Sequence, residues 1–163
     1  MSDPVETPPP SPWRARVWWS LTLGWTGVVF GLCLAQGKWV KAQFRWLLRL
    51  HEELHLVTPA PTDKVLHFSF FLVLGLLYAC SLGRGSWARL EARWVSLCLL
   101  GLWVFSGALE GLQSFVPERT PDVRDFAANV TGVTLGLGVP LLLGTLWRKL
   151  RAGEPVFPAP WRS

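Results

Sequence analysis

Hydrophobic residues fall in four long runs, at 17–36, 63–82, 94–116 and 125–147, and charged residues gather near their ends and between them. Each run has about the ~20 residues a helix needs to cross the hydrocarbon core of a bilayer. The pattern predicts an all-α membrane protein with four transmembrane helices. Trp18 and Trp19 stand at the head of the first run as interfacial anchors. That run is too long and Trp-rich for the apolar core of a secretory leader, and no A-x-A site follows it, so it reads as a retained span. Gly107 with Gly111, and Gly132 with Gly136, have the small-xxx-small spacing of close helix contacts, and Pro140 predicts a kink.

A different period governs 38–56. Lys38, Lys41, Arg45, Arg49 and Glu52 fall on one helical arc, and Val40, Phe44, Leu47, Leu48 and Leu54 on the opposite one. This predicts an amphipathic helix lying in the membrane interface between the first two spans; a soluble helix covering the bundle is the alternative. Thr58-Pro59-Ala60-Pro61-Thr62 ends it, and Thr62 or Asp63 can cap the next helix by accepting from its free N–H groups. Residues 1–16 carry Pro4, Pro8, Pro9, Pro10 and Pro12 and read as a disordered tail. A single transmembrane domain is expected over 17–150, followed by a basic tail over 151–163.

Composition agrees: half of the residues are hydrophobic and eleven are tryptophan. The net charge of +5 comes from Lys and Arg beside the apolar runs, where they orient a membrane protein, and no nucleic-acid-binding motif is present. Expected partners are therefore membrane lipid and not nucleic acid; oligomeric state is not legible. With four spans, nine Lys and Arg lie on the side of the N-terminus, the 83–93 loop and the C-terminus, against seven on the other side, four of them in the amphipathic segment. Both termini are accordingly expected in the cytoplasm. Cys33, Cys80 and Cys98 sit singly in apolar runs and read as core residues.

The start of span two, the end of span three and the start of span four share one membrane face whichever way the protein points. Asp63, Lys64 and His67 lie at the first, Glu110 and Gln113 at the second, and Asp122, Arg124, Asp125 and Asn129 at the third, with Glu118 and Arg119 between the last two. Ionisable groups beside hydrocarbon are costly and mark functional sites, or else a salt-bridged knot joining two helices. Asp122, Asp125 and Asn129 follow i, i+3, i+7 on one stripe, so the groups are expected to meet in a pocket one to two turns deep. A second pattern, His51-Glu52-Glu53-Leu54-His55, matches H-E-x-x-H. Two His on one helical face suit zinc, but Glu53 is charged where such enzymes carry an uncharged residue and no third ligand is evident. It reads as polar tips of the interfacial helix; no metal and no cofactor is predicted.

Asp63-Lys64-Val65-Leu66-His67, Gly75, Glu110-Gly111-Leu112-Gln113, Pro117-Glu118-Arg119, Asp122, Asp125, Asn129, Gly132 and Gly136 together resemble the VanZ-like family of bacterial membrane proteins. The resemblance covers about 62–137, and departs at Phe71, where the family often carries Tyr; the H-E-x-x-H stretch and the Pro-rich tail lie outside its pattern. It implies a multi-pass protein of the bacterial cytoplasmic membrane and cell envelope, in a family named after a member linked to resistance to the glycopeptide teicoplanin. It implies no agreed reaction.

From the residues themselves, a glycosidase-like hydrolase of a lipid-linked or envelope glycan is the first reading. Glu110, expected to be the more deeply buried of the two, would be the acid, Asp125, beside Arg124, the base or nucleophile, and Asp122 and His67 further catalytic groups. Asp63, Lys64, Gln113, Arg119, Arg124 and Asn129 would hold substrate. The second reading is a non-catalytic binder of an envelope precursor, lipid headgroup or glycopeptide. A permease is disfavoured, because the far halves of spans two to four lack ionisable groups.

Overall fold

The structure, a computed structural model, describes residues 12–35, 42, 45, 62–117 and 121–153, with backbone alone at 62 and 63. It consists of helices α1 (Pro12–Leu34), α2 (Thr62–Leu82), α3 (Ala92–Gln113) and α4 (Val123–Ala152), with a 3-10 turn at Trp87–Arg89. All four helices are long and apolar enough to cross a membrane, and there is no strand among the described residues. The chain is an all-α membrane protein. The expected interfacial helix at 38–56 lies outside the described residues except for Ala42 and Arg45.

The helix ends differ in part from the hydrophobic pattern. α1 starts at Pro12, so the last residues of the expected tail are helical. Proline suits this first position because its N–H is not needed there and its φ is already helical. α3 stops at Gln113 instead of reaching Val116. Beyond it Phe115 N–H donates to Leu112 O (3.1 Å) and Val116 N–H to Gln113 O (3.0 Å), a tighter winding that leads into Pro117. α4 runs on through buried Pro140 to a left-handed Gly153 (φ 68°), whose N–H closes on the carbonyls of Lys149 and Leu150.

α2 and α4 form the central pair and run parallel, Phe68 and Leu72 of α2 facing Gly132 and Gly136 of α4. Their backbones touch. A Cβ on Gly75 would stand 2.7 Å from Val133 O, and one on Gly132 or Gly136 would overlap the carbonyls of Phe68 or Leu72. Water gives helices no hydrophobic push inside a bilayer, so close backbone packing of this kind holds them. The other glycine pair does not behave as its spacing suggests. Gly111 faces open space, and a Cβ on Gly107 would meet only the Phe126 ring at 3.7 Å. α3 packs instead through Val95, Leu102 and Leu109, which join Phe71, Leu74, Val133 and Leu137 in the core.

α1 is peripheral and antiparallel to α2. Thr22 Oγ1 shares a hydrogen bond with Ser81 Oγ (2.8 Å), and Trp25 Nε1 donates to Phe70 O (3.1 Å). Trp19 lies edge-on to Tyr78. Leu21, Leu23, Val28 and Phe30 are exposed, a surface suited to lipid. Of the three cysteines, Cys33 is buried and Cys80 and Cys98 are half-buried.

Candidate functional site

Because α2 and α4 are parallel and α3, which links them in the chain, runs in the opposite sense, two N-termini and one C-terminus emerge at the same face. The site is built from Asp122 outward. Its extended backbone (φ −125°, ψ 117°) makes it the N-cap of α4, and its Oδ1 accepts the Arg124 N–H at 2.8 Å. Its Oδ2 accepts from Lys64 Nζ at 2.6 Å. The same ammonium donates to Oδ1 of Asp125 at 2.5 Å. Asp125 lies in the first turn of α4, where the positive end of the helix dipole favours a carboxylate, and is only 4% exposed.

The other oxygen of Asp125 is 3.9 Å from Nε2 of His67. Across the ring, His67 Nδ1 lies 3.0 Å from Asn129 Oδ1. An amide oxygen only accepts, so Nδ1 carries a proton and Nε2 is the nitrogen presented to Asp125. Lys64, Asp125, His67 and Asn129 thus form one continuous polar chain between α2 and α4. From α3, Glu110 Oε2 accepts the Asp122 N–H at 3.3 Å. Gln113 is buried beside it on the same stripe of α3.

Three buried polar atoms here lack a hydrogen-bond partner: Ser106 Oγ, Gln113 Nε2 and Asn129 Nδ2. Each orphan of this kind costs about 1–3 kcal/mol, so the fold tolerates them at a price that a polar guest could offset. Ser106 escaped the sequence reading, since a lone Ser in an apolar run looks innocuous. Its signal was the i, i+4, i+7 spacing to Glu110 and Gln113.

Two expectations need correction. Arg124 is exposed, and the cation held against Asp125 is Lys64. Burial does not separate the two proposed catalytic carboxyls either: Glu110 is 7% exposed and Asp125 4%, so they differ by partner and not by depth. Phe71, the departure from the VanZ-like pattern, is a fully buried core ring tilted against Phe105. Glu118, Arg119, the side chain of Asp63 and the His51–His55 stretch lie outside the described residues. No three His, Cys, Asp or Glu side chains are grouped as metal ligands would be among the described residues.

The bond from Lys64, followed by that from the Arg124 N–H, holds the Asp122 carboxyl below its ordinary range. A depressed folded value stabilises the protein above the unfolded value of about 3.9 and is lost as pH falls through the folded one. Asp122→Asn should therefore melt below wild type at neutral pH, by a constant margin down to about pH 5, with the two curves converging below about pH 4. Thermal melts in detergent across that range check it.

No curated protein and no solved structure matches the chain. A family match does cover it from residue 11 to residue 144, taking in all three helix ends that support the polar site: the α2 start, the α3 end and the α4 start. With these spans, this cluster of Lys64, His67, Glu110, Asp122, Asp125 and Asn129, and that match, the chain belongs to the VanZ/LLP1 family.

Proposed function

We infer that the polar site is an acid/base hydrolytic centre acting on a glycosidic or similar bond of a lipid-linked or other envelope glycan. The observation that carries this reading is the position of His67, oriented by Asn129 on one nitrogen and faced by Asp125 on the other. An imidazole held this way can take a proton from water while the carboxylate stabilises the charge it gains. Glu110 would protonate the leaving glycosidic oxygen, and the activated water would close on the anomeric carbon, so that one water is consumed per bond cut. Gln113 and Asn129, each with an amide donor to spare, would meet sugar hydroxyls. The shallow position suits a substrate whose lipid tail stays in the bilayer. The Lys and Arg distribution supports cytoplasmic termini and a site opening outward from the bacterial cytoplasmic membrane.

One observation favours a second reading, a non-catalytic binder of an envelope precursor, a lipid headgroup or a glycopeptide. Lys64 already engages both Asp122 and Asp125, which suits holding a ligand better than attacking one. Purified protein given a polyprenyl-linked oligosaccharide separates the two. New reducing ends that fall about 100-fold or more in Glu110→Gln and Asp125→Asn, with glycan binding retained, support hydrolysis. Binding with no turnover in wild type supports the binder.

A further inference from the structure

The opposite end of the bundle carries chemistry that the polar site does not use. α2 ends there in a tight turn: Arg84 N–H donates to Ser81 O (3.1 Å) and Gly85 N–H to Cys80 O (2.7 Å). This is the paired closure of a helix end whose pivotal residue is left-handed and is usually glycine. Glycines stand on both sides of that position, at 83 and 85, yet the pivot itself is Arg84, at φ 50°. Among the described residues it is the only one other than glycine with a positive φ. Strain accepted at one residue, with glycine adjacent on either side, points to a use for the side chain.

Arg84 lines a recess of about 300 Å³ between the end of α2 and the start of α3, together with Leu82, Arg89, Glu91 and Trp94. It lies at the ends of two helices long and apolar enough to cross a membrane, where headgroups would be expected. Arg93 stacks on Trp94 (5.0 Å), Arg151 on Trp147 (4.7 Å) and Arg14 on Trp13 (5.5 Å), all at this end of the bundle. Tryptophan and arginine pairs of this kind settle at the headgroups. One and two turns further along α3, Leu97 and Leu100 are exposed as an acyl chain would require.

We propose that this recess binds the phosphate of an anionic phospholipid, with Arg84 and Arg89 as its cationic contacts. Two arginines lining one concavity match a phosphodiester, whose oxygens can accept from both. The Glu91 carboxylate, at the rim and hydrogen-bonded to Arg93 Nε (3.1 Å), adds an acceptor for headgroup hydroxyls. That combination selects a headgroup with a single phosphate and free hydroxyls, as in phosphatidylglycerol, over a zwitterionic one. The site stands apart from the polar cluster and from whatever reaction that cluster performs.

The test is native mass spectrometry of the full chain released from micelles doped with equal phosphatidylglycerol and phosphatidylcholine. Wild type should keep phosphatidylglycerol preferentially, and Arg84→Gly with Arg89→Gln should lower that preference about tenfold. Arg84→Gly removes the guanidinium while relieving the left-handed strain, so its melting temperature should not fall. Free glycerol 1-phosphate should leave the lipid adducts in place if the bilayer-borne lipid is the ligand, and its displacing them would assign the recess to soluble phosphates. An unchanged preference in the double variant would overturn the proposal. So would an equal loss in Arg151→Gln alone, which would reduce the effect to diffuse charge.

Discussion

Gly136→Leu should destabilise the protein by about 3 kcal/mol or prevent assembly outright. At this position a side chain would have to enter space held by the Leu72 carbonyl and by Gly75 Cα, 2.9 Å from the added Cβ. Both are backbone, so no rotamer change relieves the overlap, and the central helix pair must separate. Gly132→Leu should behave alike, against the Phe68 carbonyl. Gly111→Ala and Gly138→Ala are the matched controls, since a Cβ there meets nothing within 4 Å. They should be neutral or gain the fraction of a kcal/mol, about 0.5–1, that alanine holds over glycine in a helix. Unfolding midpoints in mixed detergent micelles, measured for the four variants in parallel, would reveal the contrast; equal effects at all four positions would refute the close pairing of α2 and α4.

Lys64→Met should be the most damaging single change in the polar site. It leaves Asp125, at 4% exposure, with its closest counter-ion removed, and breaking one side of a buried pair costs about 3–5 kcal/mol. Adding Asp125→Asn to Lys64→Met should recover much of that loss, because the residual damage is an unpaired charge and not a missing contact. The same double variant should show no turnover and weakened glycan binding if Lys64 and Asp125 serve the proposed chemistry. A double variant as unstable as Lys64→Met would mean that Lys64 acts through packing, not through Asp125.

The meeting of these groups was legible because span parity puts the start of α2, the end of α3 and the start of α4 on one face, and because i, i+3, i+7 spacing aligns Asp122, Asp125 and Asn129. What was not legible was angular. Arg124 neighbours Asp125 in sequence but points about 100° away around the helix, which leaves it in solvent. Lys64 looked like a substrate clamp because nothing in its own segment reveals that two carboxylates on another helix reach it. Gly107 and Gly111 carry the same spacing as Gly132 and Gly136, and spacing alone does not say which face meets a partner. α1 was read as starting later because Pro12 closes a proline-rich stretch, and only the backbone distinguishes a final tail residue from a first helical one.

The parallel pairing of α2 with α4 has a consequence for biogenesis. Lys64 and Asp125 are 61 residues apart in the chain, so at ~5–20 residues per second the ammonium reaches the edge of the bilayer about 3 to 12 s before its counter-ion has been synthesised. Throughout that interval α2 must insert beside hydrocarbon before either carboxylate of α4's first turn can reach the ammonium at its mouth, and a ribosome halted before residue 122 would strand it there. Quality control by the cell thus has a natural checkpoint: the nascent protein becomes electrically quiet only when its last helix arrives.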